Sequence, residues 1–255
     1  MSRATATTGR STSRPGSCAT LTPSPGQHSE RYRVSHVFLD VDGTLLDING
    51  AMGAALRAAA VRTSEFAGEE IAPRALEQTR RAVMAEPAFR AESPAVQFRE
   101  AVTRTLTPCG VSLEECVRAV TDVTDRTYEE TLQVYPDVHE ALQALVDMGV
   151  TLIAASNANA DFDQAGIGRY LADTHLGPLI GVSKPHPRFF ELALERFSVA
   201  PSAALMVGDR VDNDVRPAQA VGMYGVLLDR SSAVHDESIH RIAALTELPD
   251  LIERA

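Results

Sequence analysis

The chain has 255 residues, enough to bury a sizeable core, and its apolar and charged fractions of 44% and 23% are those of an ordinary globular protein. A formal net charge of -10 speaks against a nucleic-acid partner, which would need a basic stripe to displace counterions, and no apolar run approaches the roughly 18 to 20 residues that span a bilayer. Cys18, Cys109 and Cys116 are too few for a disulfide framework and lack the paired spacing of a zinc site, so reduced thiols in a cytoplasmic protein are the expectation.

Residues 1–30 differ in kind from the rest: eighteen of them are Ser, Thr, Pro or Gly, and the first acid is Glu30. Such a segment buries too little apolar surface to offset its ordering entropy. It shares its basic, Ser-rich character with organelle transit peptides but has no clear amphipathic helix. A disordered tail, or sequence upstream of the true start, is expected. It also lacks the apolar segment of a secretory signal.

From Val34 to Leu39 a short apolar run closes at Asp40, with Gly43 just beyond, which predicts a buried strand ending in a turn. Residues 51 to about 133 then read as helices, over 51–66, 73–85, 94–107 and 112–133. In the last, Ser112 and Glu115 have the spacing of a capping box, and Leu113, Val117, Val120, Thr124, Tyr128 and Leu132 share a face. Further strands are predicted at Val150–Ala155, Leu179–Val182, Ala204–Val207 and Gly225–Leu228, with helices at Val138–Met148, Arg188–Arg196 and Arg216–Gly222 between them. This alternation predicts an α/β fold, a Rossmann-like doubly wound parallel sheet with helices on both faces. Residues 31–49 and 134–255 would form that core, and 50–133 an inserted α-helical cap domain, with Asn49-Gly50 and Tyr135-Pro136 as hinges.

Ligands of an open parallel sheet bind beyond the carboxyl ends of its strands, so the polar residues there are the ones to question. The first strand delivers Asp40-Val41-Asp42-Gly43-Thr44. Two carboxylates two residues apart on extended backbone point to the same side and repel unless a cation or proton intervenes. As a bare motif, however, Asp and Gly also serve turns and helix caps. The strand ending at Val207 delivers Gly208-Asp209, with Asn213-Asp214 at the start of a helix. Acids are ordinary N-caps. A further carboxylate at a neighbouring strand end is also what magnesium (Mg2+) takes, since it prefers oxygen ligands and needs few of them from protein. Asp40 and Asp209 would each give a carboxylate oxygen, Asp42 its carbonyl, and Asp214 would stand behind them. Ser156-Asn157 offers a hydroxyl and N–H groups to a phosphate oxygen, although Ser-Asn is common in any turn. Lys184 is the single lysine beside 23 arginines. An ammonium is a point charge that a planar guanidinium does not copy in a crowded site, which marks Lys184 as functional.

In their order and at their strand ends, Asp40-Val41-Asp42-Gly43-Thr44, Ser156-Asn157, Lys184-Pro185 and Gly208-Asp209 with Asn213-Asp214 resemble the four signatures of the haloacid dehalogenase superfamily. The resemblance spans about residues 34–229, and the helical insert falls where one large branch carries its cap. It implies a Mg2+-dependent phosphatase acting on a small phosphorylated metabolite. Asp40 would be the nucleophile that forms an aspartyl phosphate, and Asp42 the general acid and base. Ser156, Asn157 and Lys184 would hold the phosphoryl group. Asp40, Asp42 and Asp209 would hold the metal, with Asp214 in support. His186, where such proteins often carry an acid, reads as a residue near a helix start. Arg210 occupies a position where small residues are common. The dehalogenases that resemble this family lack an acid at the Asp42 position, and a phosphonate-cleaving enzyme would need a cap lysine, of which residues 51–133 have none. A sugar-phosphate mutase and a non-catalytic binding protein on the same fold remain as alternatives. The cap arginines Arg99 and Arg104 are candidates for a second anionic group of the substrate, although solvated side chains are the ordinary case on an arginine-rich chain. Nothing marks an oligomer interface, and a homodimer stays open.

Overall fold

A computed structural model describes residues 31–89, 94–234 and 236–255. The tail expected over 1–30, and Cys18 with it, lies outside them. Two neighbouring strands open the described chain, β1 (Tyr32–Val34) and β2 (His36–Leu39). Helices α1 (Ile48–Ala67), α2 (Pro73–Ala85), α3 (Pro94–Leu106) and α4 (Leu113–Thr131) follow. Then come α5 (Val138–Asp147), β3 (Thr151–Ser156), β4 (Asp173–Leu176), α6 (Gly177–Ile180), α7 (Pro187–Phe197) and β5 (Ala204–Gly208). The chain closes with α8 (Arg216–Ala220), β6 (Tyr224–Leu228), β7 (His240–Ile242) and β8 (Ile252–Arg254).

Six strands form one parallel sheet in the order β4-β3-β2-β5-β6-β7. From the central β2 the order runs outward in both directions, which is the doubly wound arrangement. Along β2 the two-residue period sends Val37 and Leu39 to one face and Phe38 to the other. Val37 and Leu39 pack with Val138, Ala141, Leu142 and Leu145 of α5. Phe38 packs with Phe189, Phe190 and Ala193 of α7 and Ala218 of α8. With both faces covered, a central strand has to be apolar, as β5 is throughout and β2 is from Val37 to Leu39. Helices α1 to α4 have an apolar cluster of their own, built on Ala59, Leu76, Phe98, Val102, Leu106, Val117 and Val120.

The structure corrects several expectations. The run Leu179–Val182 is not a strand. Pro178 starts the short α6, Leu179 is 73% exposed, and the strand is the preceding Asp173–Leu176. As the sheet edge, β4 needs little apolar sequence, so a polar DTHL segment serves, while the exposed Leu179 and the half-buried Ile180, which packs on the Phe38 side, imitate a strand. The run Val34–Leu39 breaks at Ser35, because β1 leaves the main sheet to pair with β8. The capping box at α4 does not form: Ser112 is the N-cap residue, but its side chain makes no capping bond. Asn49 and Gly50 lie within the first turn of α1, where the Gly50 N–H donates to Asp47 Oδ1 at 2.9 Å. Tyr135, at the other connection, donates its N–H to the Leu45 carbonyl at 3.1 Å, and Val134 bridges to Leu46. Both connections between the helical segment and the sheet are therefore tied to the Val41–Asp47 loop.

Candidate active site

The carboxyl ends of the parallel strands share one edge, and the reversal of order at β2 opens a crevice there. Asp40 follows β2 directly, and its N–H donates to the Val207 carbonyl of β5 at 2.8 Å. The chain then coils tightly, with the N–H groups of Leu45 and Leu46 both reaching the Val41 carbonyl at 2.9 Å. Gly43 adopts φ +78, and a Cβ there would lie 2.4 Å from Asp209 Oδ2. Glycine thus serves both the turn and the room that the Asp209 carboxylate occupies.

Lys184 is buried. Its Nζ donates to Asp40 Oδ1 at 2.5 Å and to Asp214 Oδ1 at 2.6 Å. An ammonium removed from water costs several kcal/mol unless paired, and here two carboxylates share it. The backbone around it is held by Asn157, whose Nδ2 donates to the Lys184 carbonyl at 2.8 Å and whose Oδ1 accepts from the Lys184 N–H at 2.7 Å. This commitment leaves the Asn157 backbone, and not its amide group, for an anion. Ser156, buried at the end of β3, accepts the Ala158 N–H on its Oγ at 3.0 Å and keeps its hydroxyl hydrogen for the pocket. Thr44, not among the expected site residues, donates its hydroxyl to Asp40 Oδ2 at 3.3 Å.

Asp214 lies in a π-helical turn, Val211–Val215, and is fully buried. A Cβ on Gly208 would come within 2.4 Å of its Cγ, so glycine at the end of β5 is what lets this carboxylate reach the centre. One carboxylate oxygen from each of Asp40, Asp209 and Asp214 lies within 4.8 Å of the others. Burial, and then the charges of Asp40, Asp214 and Asp42, push the Asp209 pKa up to about 7. Burial raises that of Asp214 against the pull of Lys184. Asp42 stands at the mouth of the pocket, outside the trio, and its pKa is raised by partial burial and then by Asp40. Three oxygen donors that destabilise one another in their charged forms suit a hard divalent cation, which relieves the repulsion. The donor set therefore fits magnesium.

These residues line a cavity of about 370 Å³ that brings together Asp40, Asp42, Ser156, Asn157, Lys184 and Asp209 with Asn49, Arg210 and Asn213. Asp214 stands behind it, against Lys184. Of the residues that sequence reasoning discounted, His186 caps α7, its Nδ1 accepting from the Arg188 N–H at 3.1 Å. Arg104 is engaged by Glu86 and Glu100, and Arg99 is exposed. Arg210 lines the pocket, which its chain position next to Asp209 alone would have suggested. Tyr128 of α4 is near enough to Asp42 that the carboxylate helps raise its phenol pKa, after burial. The helical periodicity had marked Tyr128 only as a packing residue.

A family model described as haloacid dehalogenase-like hydrolase matches residues 34–222. The chain belongs to this family. Among relatives of the haloacid dehalogenase-like chain, a glyceraldehyde 3-phosphate phosphatase of Methanopyrus kandleri is 36% identical over 39% of this chain and 45% of its own length. A phosphoserine phosphatase of Thermus thermophilus is 32% identical over 40% of this chain and 43% of its own. A ribulose-1,5-bisphosphate 5-phosphatase of Halopiger xanaduensis is 30% identical over 49% and 59%. The chain thus spans about half the length of the curated relatives it matches. A solved structure, the 2-haloacid dehalogenase from Pseudomonas syringae pv. Tomato DC3000, superposes with a TM-score of 0.66 at 26% identity, over 86% of this chain and 97% of that one.

Proposed function

We propose that this hydrolase is a magnesium-dependent phosphatase that transfers the phosphoryl group of a small phosphate monoester to Asp40. The observation that carries the reading is the convergence of Asp40, Asp209 and Asp214 on one point, with Lys184 bridging two of them. Relatives named as phosphatases of small phosphorylated metabolites support it. Asp40, Asp209 and Asp214 would hold the metal with the Asp42 carbonyl, and the bound ion would supply positive charge against the phosphate dianion.

An Asp40 carboxylate oxygen attacks phosphorus, forming the aspartyl phosphate as the bond to the leaving oxygen breaks. Lys184 balances charge on the transferring group, and Ser156 donates its hydroxyl to one of its oxygens. Asp42, whose raised pKa favours the protonated form, gives its proton to the leaving oxygen. In the second half, the same carboxylate takes a proton from the water that attacks phosphorus, which frees inorganic phosphate and restores Asp40. A haloalkanoate offers no leaving oxygen to protonate. Asp42 therefore favours the phosphatase over the activity of the dehalogenase whose structure is similar. The helical segment 50–133 acts as a cap over the leaving group, and its Tyr128 is near enough to Asp42 to feel its charge. Release of phosphate from p-nitrophenyl phosphate, present with Mg2+ and absent with EDTA, tests the reading. A purified protein inactive under both conditions would refute it.

A further inference from the structure

Two cations line the pocket among the described residues, and they differ in their engagements. Lys184 is taken by Asp40 and Asp214. Arg210 has no ion pair and no side-chain hydrogen bond among the described residues. Arg80, Arg104, Arg188 and Arg196 each hold a carboxylate, whereas Arg57, Arg74, Arg99, Arg118 and Arg126 form no ion pair among the described residues, so what sets Arg210 apart is its place in the pocket lining. The main chain of Arg210 is nevertheless fixed, since its N–H donates to Asp214 Oδ2 at 3.2 Å and its carbonyl accepts the Asp214 N–H at 2.9 Å, while the residue itself is exposed. Its charge bears on Asp42 and Asp209, lowering the proton affinity of both. Arg210 thus brings positive charge to the pocket lining that it shares with Asp42 and Asp209. Asn49 and Asn213 line the same cavity and add amide donors.

We propose that Arg210 pairs with a carboxylate on the leaving-group half of the substrate, so that the substrate is a short phosphorylated carboxylic acid. This rests on the phosphatase reading and narrows it. A planar guanidinium matches a carboxylate in a bidentate pair and is weakly hydrated, so pairing in a half-enclosed pocket costs it little. Charge favours one carboxylate over a second phosphate. Asp40, Asp42, Asp209 and Asp214 already crowd the site, and each added negative charge works against them. A cavity of about 370 Å³ lies at the small end for ligand sites and suits a skeleton of a few carbons beyond the phosphate.

The test compares matched substrates with Mg2+ present: 3-phosphoglycerate against glycerol 3-phosphate, and 2-phosphoglycolate against its amide, with p-nitrophenyl phosphate as the reference. The quantity read is the ratio of kcat/KM for acid over neutral partner. A ratio cancels any change that Arg210 imposes on Asp42 in both reactions. Wild type should favour the acid in at least one pair. Arg210→Ala should lower that ratio by about 10- to 100-fold, chiefly through KM, as expected for a charged hydrogen-bonded contact. Arg210→Lys should keep part of the preference, and Arg210→Glu should reverse it. Ratios that are the same in wild type and all three variants, or that favour the neutral partner in both pairs, would overturn the proposal while p-nitrophenyl phosphate is still hydrolysed. Absence of hydrolysis of p-nitrophenyl phosphate and of every member of the pairs would instead refute the phosphatase reading, and this inference with it.

Discussion

At the scale of single residues, the site depends on charges that have no comfortable place without one another. Lys184 between Asp40 and Asp214 is the clearest case, since either carboxylate alone would be a buried charge facing others of its sign. Lys184→Met is expected to destabilise the protein by about 3–5 kcal/mol, the usual cost of stripping one partner from a buried pair. Urea denaturation would measure it, and Mg2+ should recover part of the loss. Asp40→Asn keeps a similar shape and should leave the fold intact while turnover falls by several orders of magnitude. A variant retaining a tenth of wild-type activity would show that Asp40 is not the nucleophile. The single lysine was legible in the sequence because composition isolates it. The part played by Asn157 was not, since an amide that grips the main chain 27 positions away leaves no trace in local pattern. For Arg210, the chain position next to Asp209 pointed to the pocket, but its lack of an ion partner is visible only in the structure.

Among the elements, Arg230 just past β6 ties the sheet to the connections of the helical segment. Its Nη1 donates to Asp137 Oδ2 at 2.9 Å, and its Nη2 to the Thr44 carbonyl at 2.9 Å. Its guanidinium lies 4.0 Å from the Tyr135 ring centroid, and the Tyr135 hydroxyl donates to Asp47 Oδ1, the cap of α1, at 3.3 Å. Asp137 Oδ2 also accepts the Leu245 N–H at 2.6 Å. Arg230→Ala would leave Asp137 and the Thr44 carbonyl without these partners, and a loss of about 2–3 kcal/mol is expected. Arg33→Ala, which breaks an exposed pair with Glu253, should cost roughly 0–1 kcal/mol. Equal shifts in the two urea midpoints would contradict this account. Element type was readable wherever burial dictates the pattern, as an unbroken apolar run in β5 and as a helical period in α7. It failed at the rim, where β4 is polar and Leu179 is apolar but exposed, because there the hydrophobic pattern no longer reports burial.

For the molecule as a whole, the acidic trio makes metal-free stability depend on pH. The folded pKa of Asp209, about 7, lies above its ordinary value of 3.8, so the folded state holds the proton more tightly. Its contribution to stability is therefore lost as pH rises from about 4 through about 7. His36 and His175, whose pKa values burial lowers, act in the opposite direction below their ordinary 6.5, so the comparison must be made against Asp209→Asn. With EDTA, the Tm of wild type relative to that variant should fall across this window, and Mg2+ should oppose the fall by binding the ionised form. A difference in Tm that does not change with pH would contradict the electrostatic picture.

The most direct test of the central claim is to catch the phosphoryl group on Asp40. The nitrophenolate of p-nitrophenyl phosphate leaves without needing a proton, so Asp42→Asn should slow the second half-reaction far more than the first. Rapid mixing of that variant with the ester and Mg2+ is predicted to give a stoichiometric burst of nitrophenolate, with mass spectrometry of the quenched protein placing one phosphoryl group on the peptide that contains Asp40. No burst, and an unmodified Asp40 peptide in a variant still releasing nitrophenolate, would contradict it.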